Sequence, residues 1–269
     1  MATVEVNRTK LYYEDTGTGM SILFIHGMCG HANVWDDQVR RLSPNFRCIA
    51  YDRRGHTRSA PVGDVVRTVG LHAADAAALI ETLGIAPCLV VGSSGGARIG
   101  VDLVRRYPEL LRGAVLSEPP LLGLNPEAAS AFIGELQPRV EAAIARGGPE
   151  AAVDAFFGYV CPGLWDAIDE VHRQTYRDNH VELFGDLKMP PYQISPADLG
   201  RIRVPCRMIV GTKTLPIFRQ ITTLVASAIP GADLVEIPDS GHVTYAENPD
   251  AFTSSVREFV AGLTASLAR

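Results

Sequence analysis

The sequence predicts an α/β fold, with a mostly parallel central sheet of about eight strands, helices on both faces and a helical insertion. Three observations predict it. Short apolar runs rich in β-branched residues alternate with longer helix-like stretches, the pattern of parallel strands joined by crossover helices. These runs are apolar almost throughout, as strands covered on both faces must be. The alternation then stops between about residues 121 and 199, where helix-like segments follow one another.

The strand candidates are residues 22–25, 47–51, 88–91, 114–116, 207–210 and 234–237. Ahead of them, residues 4–6 and 11–13 read as an antiparallel hairpin added at one edge. In the last helix, Phe252, Val256, Phe259, Val260 and Leu263 recur at the spacing that turns one stripe toward a sheet. The insertion is Ala-rich and charged, with breaks predicted at Pro138, Gly147-Gly148-Pro149, Pro162-Gly163 and Pro190-Pro191. The expected organisation is a core of residues 1–120 and 200–269 and a helical lid of residues 121–199.

Composition narrows the function. With 269 residues, 46% of them hydrophobic, the chain can bury a large core. A formal net charge of -5 and the lack of long like-charge runs exclude the basic footprint that nucleic-acid binding needs. Cys29, Cys48, Cys88, Cys161 and Cys206 form no C-x-x-C pair, so reduced, buried thiols and a cytoplasmic location are expected. There is no basic start followed by an apolar stretch and no run of 18 apolar residues, so neither secretion nor a membrane span is expected. No H-E-x-x-H or H-x-x-E-H cluster is present, and the expectation is a small-molecule substrate with no metal and no cofactor.

The run Leu89-Val90-Val91-Gly92-Ser93-Ser94-Gly95-Gly96-Ala97 carries the chemistry. An apolar strand enters it, a helix leaves it, and Gly92, Ser94 and Gly96 fit G-x-S-x-G. A sharp strand-to-helix turn brings backbones too close for side chains on either side of the serine, and it presents that serine above the sheet. Ser93 is adjacent, but only Ser94 holds the central position. The free N–H groups at the start of the helix favour an anion forming there, so the Gly95 N–H is a candidate donor.

These residues resemble the α/β-hydrolase superfamily, and other landmarks follow in that family's order. His26-Gly27 directly follows a strand, as in the family's oxyanion loop. Asp52-Arg53-Arg54-Gly55-His56-Thr57-Arg58-Ser59 looks like its D-x-R-G-x-G-x-S turn, with Thr57 where a glycine is more usual. The resemblance implies a catalytic histidine in the loop after the last strand, which here is His242 in Pro238-Asp239-Ser240-Gly241-His242. It also implies a second oxyanion donor from the N–H of Met28, and it leaves Cys29 without the elbow and base a nucleophile needs.

The acid departs from the commonest pattern. Where many relatives place an aspartate, the loop reads Gly211-Thr212-Lys213-Thr214-Leu215-Pro216 and holds no acid. The preceding strand runs into Ser117-Glu118-Pro119-Pro120, and the order Ser94, Glu118, His242 fits Ser…Asp/Glu…His, so Glu118 is the expected acid. Asp239 and Glu247 are the weaker alternatives. Similar placement of a glutamate is found in family members such as the fungal lactonases that open zearalenone, and the similarity is confined to that acid.

The lid contains Phe132, Phe156, Phe157, Tyr159, Trp165, Tyr176, Phe184, Met189 and Tyr192. Part of this set must pack the lid onto the core, and Phe156, Tyr159 and Trp165 are expected to line the substrate pocket. The expected reaction is hydrolysis of an ester or lactone through an acyl-enzyme. Two alternatives remain at this point: cleavage of a carbon–carbon bond by the same serine, and a ligand receptor on the same scaffold.

Overall fold

The computed structural model describes residues 2–59, 67–183 and 192–267. Phe184, Met189 and the Pro190-Pro191 pair lie outside them. The strands are β1 (Ala2–Val6), β2 (Thr9–Thr16), β3 (Ser21–Ile25), β4 (Arg47–Tyr51), β5 (Cys88–Ser93), β6 (Leu111–Ser117), β7 (Cys206–Gly211) and β8 (Asp233–Ile237). They form one 8-stranded sheet in the order β1-β2-β4-β3-β5-β6-β7-β8. The β1–β2 and β2–β4 pairings are antiparallel and every other pairing is parallel, so the hairpin forms an edge as the sequence predicts.

The helices are α1 (Asp36–Leu42), α2 (Val69–Thr82), α3 (Gly95–Arg106), α4 (Pro126–Val160), α5 (Pro162–Ala167), α6 (Glu170–Asp178), α7 (Pro196–Leu199), α8 (Pro216–Ala228), α9 (Thr244–Glu247) and α10 (Pro249–Leu267). The two-residue period of the strands divides the core between them. Leu23, Ile25, Val90 and Leu116 meet Leu79, Val101 and Ile221 of α2, α3 and α8 on one face. Ile22, Phe24, Leu89 and Val91 meet Leu42, Phe252 and Val256 of α1 and α10 on the other. The stripe predicted for the last helix is this second contact.

Between β6 and β7 the described residues hold helices and no strand. The predicted break at Gly148 is real: its φ of 74 interrupts α4. The predicted break at Pro138 is not, because α4 continues through it. Proline forgoes the bond to the carbonyl four residues back and crowds that carbonyl, and here it belongs to exposed Gly134, on the solvent side of the helix. Leu136, Val140, Val153, Trp165 and Leu183 pack together with Cys29, fastening the segment to the loop after β3.

Among the described residues no helix is long and apolar enough to cross a membrane. All five cysteines are buried and free of disulfides. Burial pushes the thiols of Cys48, Cys88 and Cys206 up to about 12, so none of those three is a nucleophile near neutral pH. The parallel strands β3, β5, β6, β7 and β8 end on one side of the sheet, where open α/β sheets gather their functional loops.

Candidate active site

Ser94 sits between β5 and α3 with φ 52 and ψ -120, a left-handed backbone conformation that is costly for a residue with a side chain. The glycines around it are obligatory. A Cβ on Gly92 would lie 2.7 Å from the Gly96 carbonyl oxygen, and one on Gly96 would lie 2.0 Å from the Ile25 carbonyl oxygen. Backbone on both sides cannot yield. Gly96→Ala is therefore expected to lower stability by about 3 kcal/mol or more in urea unfolding, and near-wild-type stability would contradict this packing. The Ser94 N–H donates to the Ser117 carbonyl at 2.9 Å, tying the turn to the end of β6.

Glu118 follows β6 directly, fully buried, with φ 48. Its Oε1 accepts from the Gly211 N–H at 2.8 Å and its Oε2 from the Thr214 hydroxyl at 2.7 Å. His242 Nδ1 completes the set, 2.6 Å from Oε2. The last residue of β7 and the loop after it thus each supply a donor to the Glu118 carboxylate, where that loop has no acid of its own. Gly211 makes this possible, since a Cβ there would lie 2.2 Å from the Gly241 carbonyl oxygen in the His242 loop. Phe218 stacks on the imidazole at 3.9 Å between ring centroids, so the ring is held at its face and at one nitrogen. Asp239 pairs instead with Lys213, and Glu247 accepts from the Gly241 and Val243 N–H groups, so neither alternative acid reaches the ring through these contacts.

The loop after β3 lies against the serine. A Cβ on Gly27 would be 3.3 Å from Ser94 Cβ, and one on Gly95 would be 3.4 Å from the Met28 nitrogen, so the Met28 and Gly95 backbones meet beside Ser94. His26 anchors this loop from within: its Nε2 accepts from the Arg53 N–H at 3.0 Å and its Nδ1 donates to the Gly27 carbonyl at 2.9 Å. The turn after β4 is a brace. Asp52 accepts from the Ala32 N–H at 2.7 Å and from Arg58, while the Ser59 hydroxyl donates to the Asp52 carbonyl at 2.6 Å.

Burial, reinforced by the Arg53 charge, pushes the pKa of both His26 and His72 well below 6.5. The unfolded chain then takes up protons first as the pH falls below about 6.5. Stability is fully present above that value and is lost on acidification, down to the depressed native values, with a slope of about 1.4 kcal/mol per pH unit for each ring. Urea unfolding free energy is expected to fall between pH 7 and pH 5, and a flat profile would contradict it.

Two adjoining cavities open over Ser94. The larger, of about 250 Å³, is lined by Phe132, Leu136, Phe156, Leu183, Tyr192 and Phe218 around Ser94, Gly95 and His242, with Arg98 at its wall. The smaller, of about 30 Å³, shares Met28, Ser94, Phe156 and His242 with it. Phe156 therefore lines both cavities. Trp165 and Tyr159 line neither cavity. Trp165 stacks on Phe157 at 4.8 Å inside the helical segment, and the Tyr159 hydroxyl donates to Glu135 at 2.8 Å on its outer side. Sequence reasoning missed Phe218 and Leu122. The available signal for Phe218 was its place in the first turn of α8, just past the end of β7.

Comparison with known proteins agrees with this geometry. Residues 22–254 match the model of the alpha/beta hydrolase family. The putative non-heme bromoperoxidase BpoC of Mycobacterium tuberculosis is 30% identical over 285 residues, covering 95% of this chain and 99% of that protein. The enol-lactonase from Burkholderia xenovorans LB400 superposes with a TM-score of 0.78 at 25% identity, over 97% of this chain and 100% of the other. A thermophilic esterase from Thermogutta terrifontis gives a TM-score of 0.77 at 25% identity, over 97% of each chain. A family match that starts in β3 and ends beyond the His242 loop takes in every element that carries the site, and the chain belongs to the alpha/beta hydrolase family as a hydrolase.

Proposed function

We propose that this hydrolase cleaves a carboxylic ester or lactone of a small, largely apolar molecule, with Ser94 as nucleophile, His242 as base and Glu118 as its partner. The observation that carries the reading is the 2.6 Å bond between His242 Nδ1 and Glu118, made at the wall of the same cavity as the left-handed Ser94. With Nδ1 engaged, Nε2 is the nitrogen left to take the serine proton.

Ser94 Oγ attacks the substrate carbonyl as its proton passes to His242 Nε2. The carbonyl oxygen becomes an anion facing the Met28 and Gly95 N–H groups. When the intermediate collapses, the carbon–oxygen bond to the leaving group breaks and His242 returns the proton to the departing alkoxide. An ester releases an alcohol, whereas a lactone keeps its new hydroxyl tethered to the acyl group. Water then adds to the acyl-enzyme, giving its proton to His242, and release of the acid restores the Ser94 hydroxyl. The helical segment of residues 121–199 acts as a lid whose Phe132, Leu136 and Phe156 give the pocket its apolar character. An enol-lactonase and an esterase among the structural relatives support this bond class.

The test is a turnover screen of p-nitrophenyl esters against aliphatic and enol lactones in ¹⁸O-water. One ¹⁸O in the product carboxylate is expected. Turnover of ring-fission diketones alone would overturn the ester or lactone assignment.

A further inference from the structure

We propose that Asn179 and Glu182, in the lid over the site, are positioning residues that hold the loop of residues 26–30 so that the Met28 N–H faces the reacting carbonyl oxygen. This rests on the serine-hydrolase reading above and adds to it a coupling between lid and oxyanion loop.

The contacts are made to the backbone of the loop itself. Asn179 Nδ2 donates to the Cys29 and Gly30 carbonyls, both at 3.1 Å. The Glu182 carboxylate accepts from the Cys29 N–H. Cys29 has a φ of 54, a conformation that a non-glycine residue adopts only when its surroundings enforce it, and Met28 is its immediate neighbour. The lid therefore grips both polar groups of the one strained residue in the loop.

The grip reaches the second loop as well. Asn179 Oδ1 accepts from the Thr57 N–H at 3.0 Å, and its Nδ2 donates to the Thr57 hydroxyl at 2.9 Å. Thr57 has a φ of 40, the left-handed conformation that explains why glycine is more usual there, and its side chain here provides an acceptor for the lid. Glu182 also accepts from Arg53 and from His56 Nε2, the latter at 2.6 Å, while Arg53 donates to the Gly27 carbonyl at 2.9 Å. Glu182 and Asn179 are both buried. Burial opposes ionisation of Glu182, but the charges of Arg53 and His56 outweigh it and hold the carboxyl well below the usual range. A carboxylate placed solely to dock a lid needs no bond to the residue beside an oxyanion donor. This one has it.

The test uses the full-length enzyme and p-nitrophenyl acetate, a substrate too small to depend on lid contacts. An alkyl trifluoromethyl ketone serves as the probe, because addition of Ser94 Oγ converts its carbonyl to an anion in the oxyanion hole while the proton goes to His242. Asn179→Ala and Asn179→Asp, neither of which can donate to the loop carbonyls, are expected to lower kcat tenfold or more. KM should change less than about threefold, and the ketone Ki should rise in parallel with the loss of kcat/KM. Asn125→Ala weakens the start of α4 without touching the loop and should leave both within about twofold. Folded Asn179 variants with unchanged kcat and Ki would overturn the proposal, and so would an equal loss in Asn125→Ala. Should the Asn179 variants not fold, Thr57→Val at an exposed position decides it, with the same parallel change expected at about threefold and no change overturning it. A wild-type protein that neither binds the ketone nor cleaves the ester would instead remove the serine reading, and this proposal with it.

Discussion

Ser94→Ala is expected to reduce kcat/KM on p-nitrophenyl butyrate by about 10⁴-fold or more while leaving the fold intact. The residual rate would come from the oxyanion donors and the pocket, which the substitution does not touch. Stability should hardly change, because alanine keeps the left-handed backbone that serine already tolerates at φ 52. Ser94→Gly is the informative companion. It loses the same activity, but relief of the backbone strain should raise unfolding free energy by about 1 kcal/mol. Equal stability of the two variants would mean that the turn is unstrained, and activity retained in Ser94→Ala would remove the nucleophile.

Glu118→Gln is expected to lower kcat by about 10³–10⁴-fold with little change in KM. The amide is nearly the same size and can still accept from the Gly211 N–H through its oxygen. Its NH₂ then faces His242 Nδ1 and donates to it, so the imidazole proton moves to Nε2. A ring protonated at Nε2 cannot accept the Ser94 proton, and the base is lost without any loss of packing. A stopped-flow burst separates this from slow product release, since acylation itself should slow. Retention of near-normal kcat would transfer the acid role away from Glu118.

How far the sequence spoke depends on which interactions decide each feature. The inner strands β3 to β7 were legible because a strand buried on both faces must be apolar along its length, whereas the half-exposed β1, β2 and β8 were legible from shorter apolar runs. The β6 strand begins at Leu111 rather than 114, since Arg112 and Gly113 interrupt the apolar run. Ser94, Glu118 and His242 could be read as candidates because Ser94 and Glu118 directly follow β5 and β6 and His242 lies in the loop after β8, and strand ends converge on one edge of a parallel sheet. The lid residues were not. Trp165 and Tyr159 have the composition of pocket residues, but side-chain direction along α4 and α5 is set by how the helices pack on one another. Asn179 and Glu182 belong to no motif in the sequence, and only the approach of that segment to the Cys29 and Thr57 backbones makes them buried partners. Thr57 was noticed as a departure, but its reason lay more than a hundred residues along the chain.

The account turns on Ser94 being the residue that attacks. Mass spectrometry of the intact and digested protein after treatment with a fluorophosphonate measures this directly. One adduct is expected, on the Ser94 peptide, present in the wild type and absent in Ser94→Ala. No adduct on folded protein, or an adduct carried by Ser93 and retained in Ser94→Ala, would contradict it.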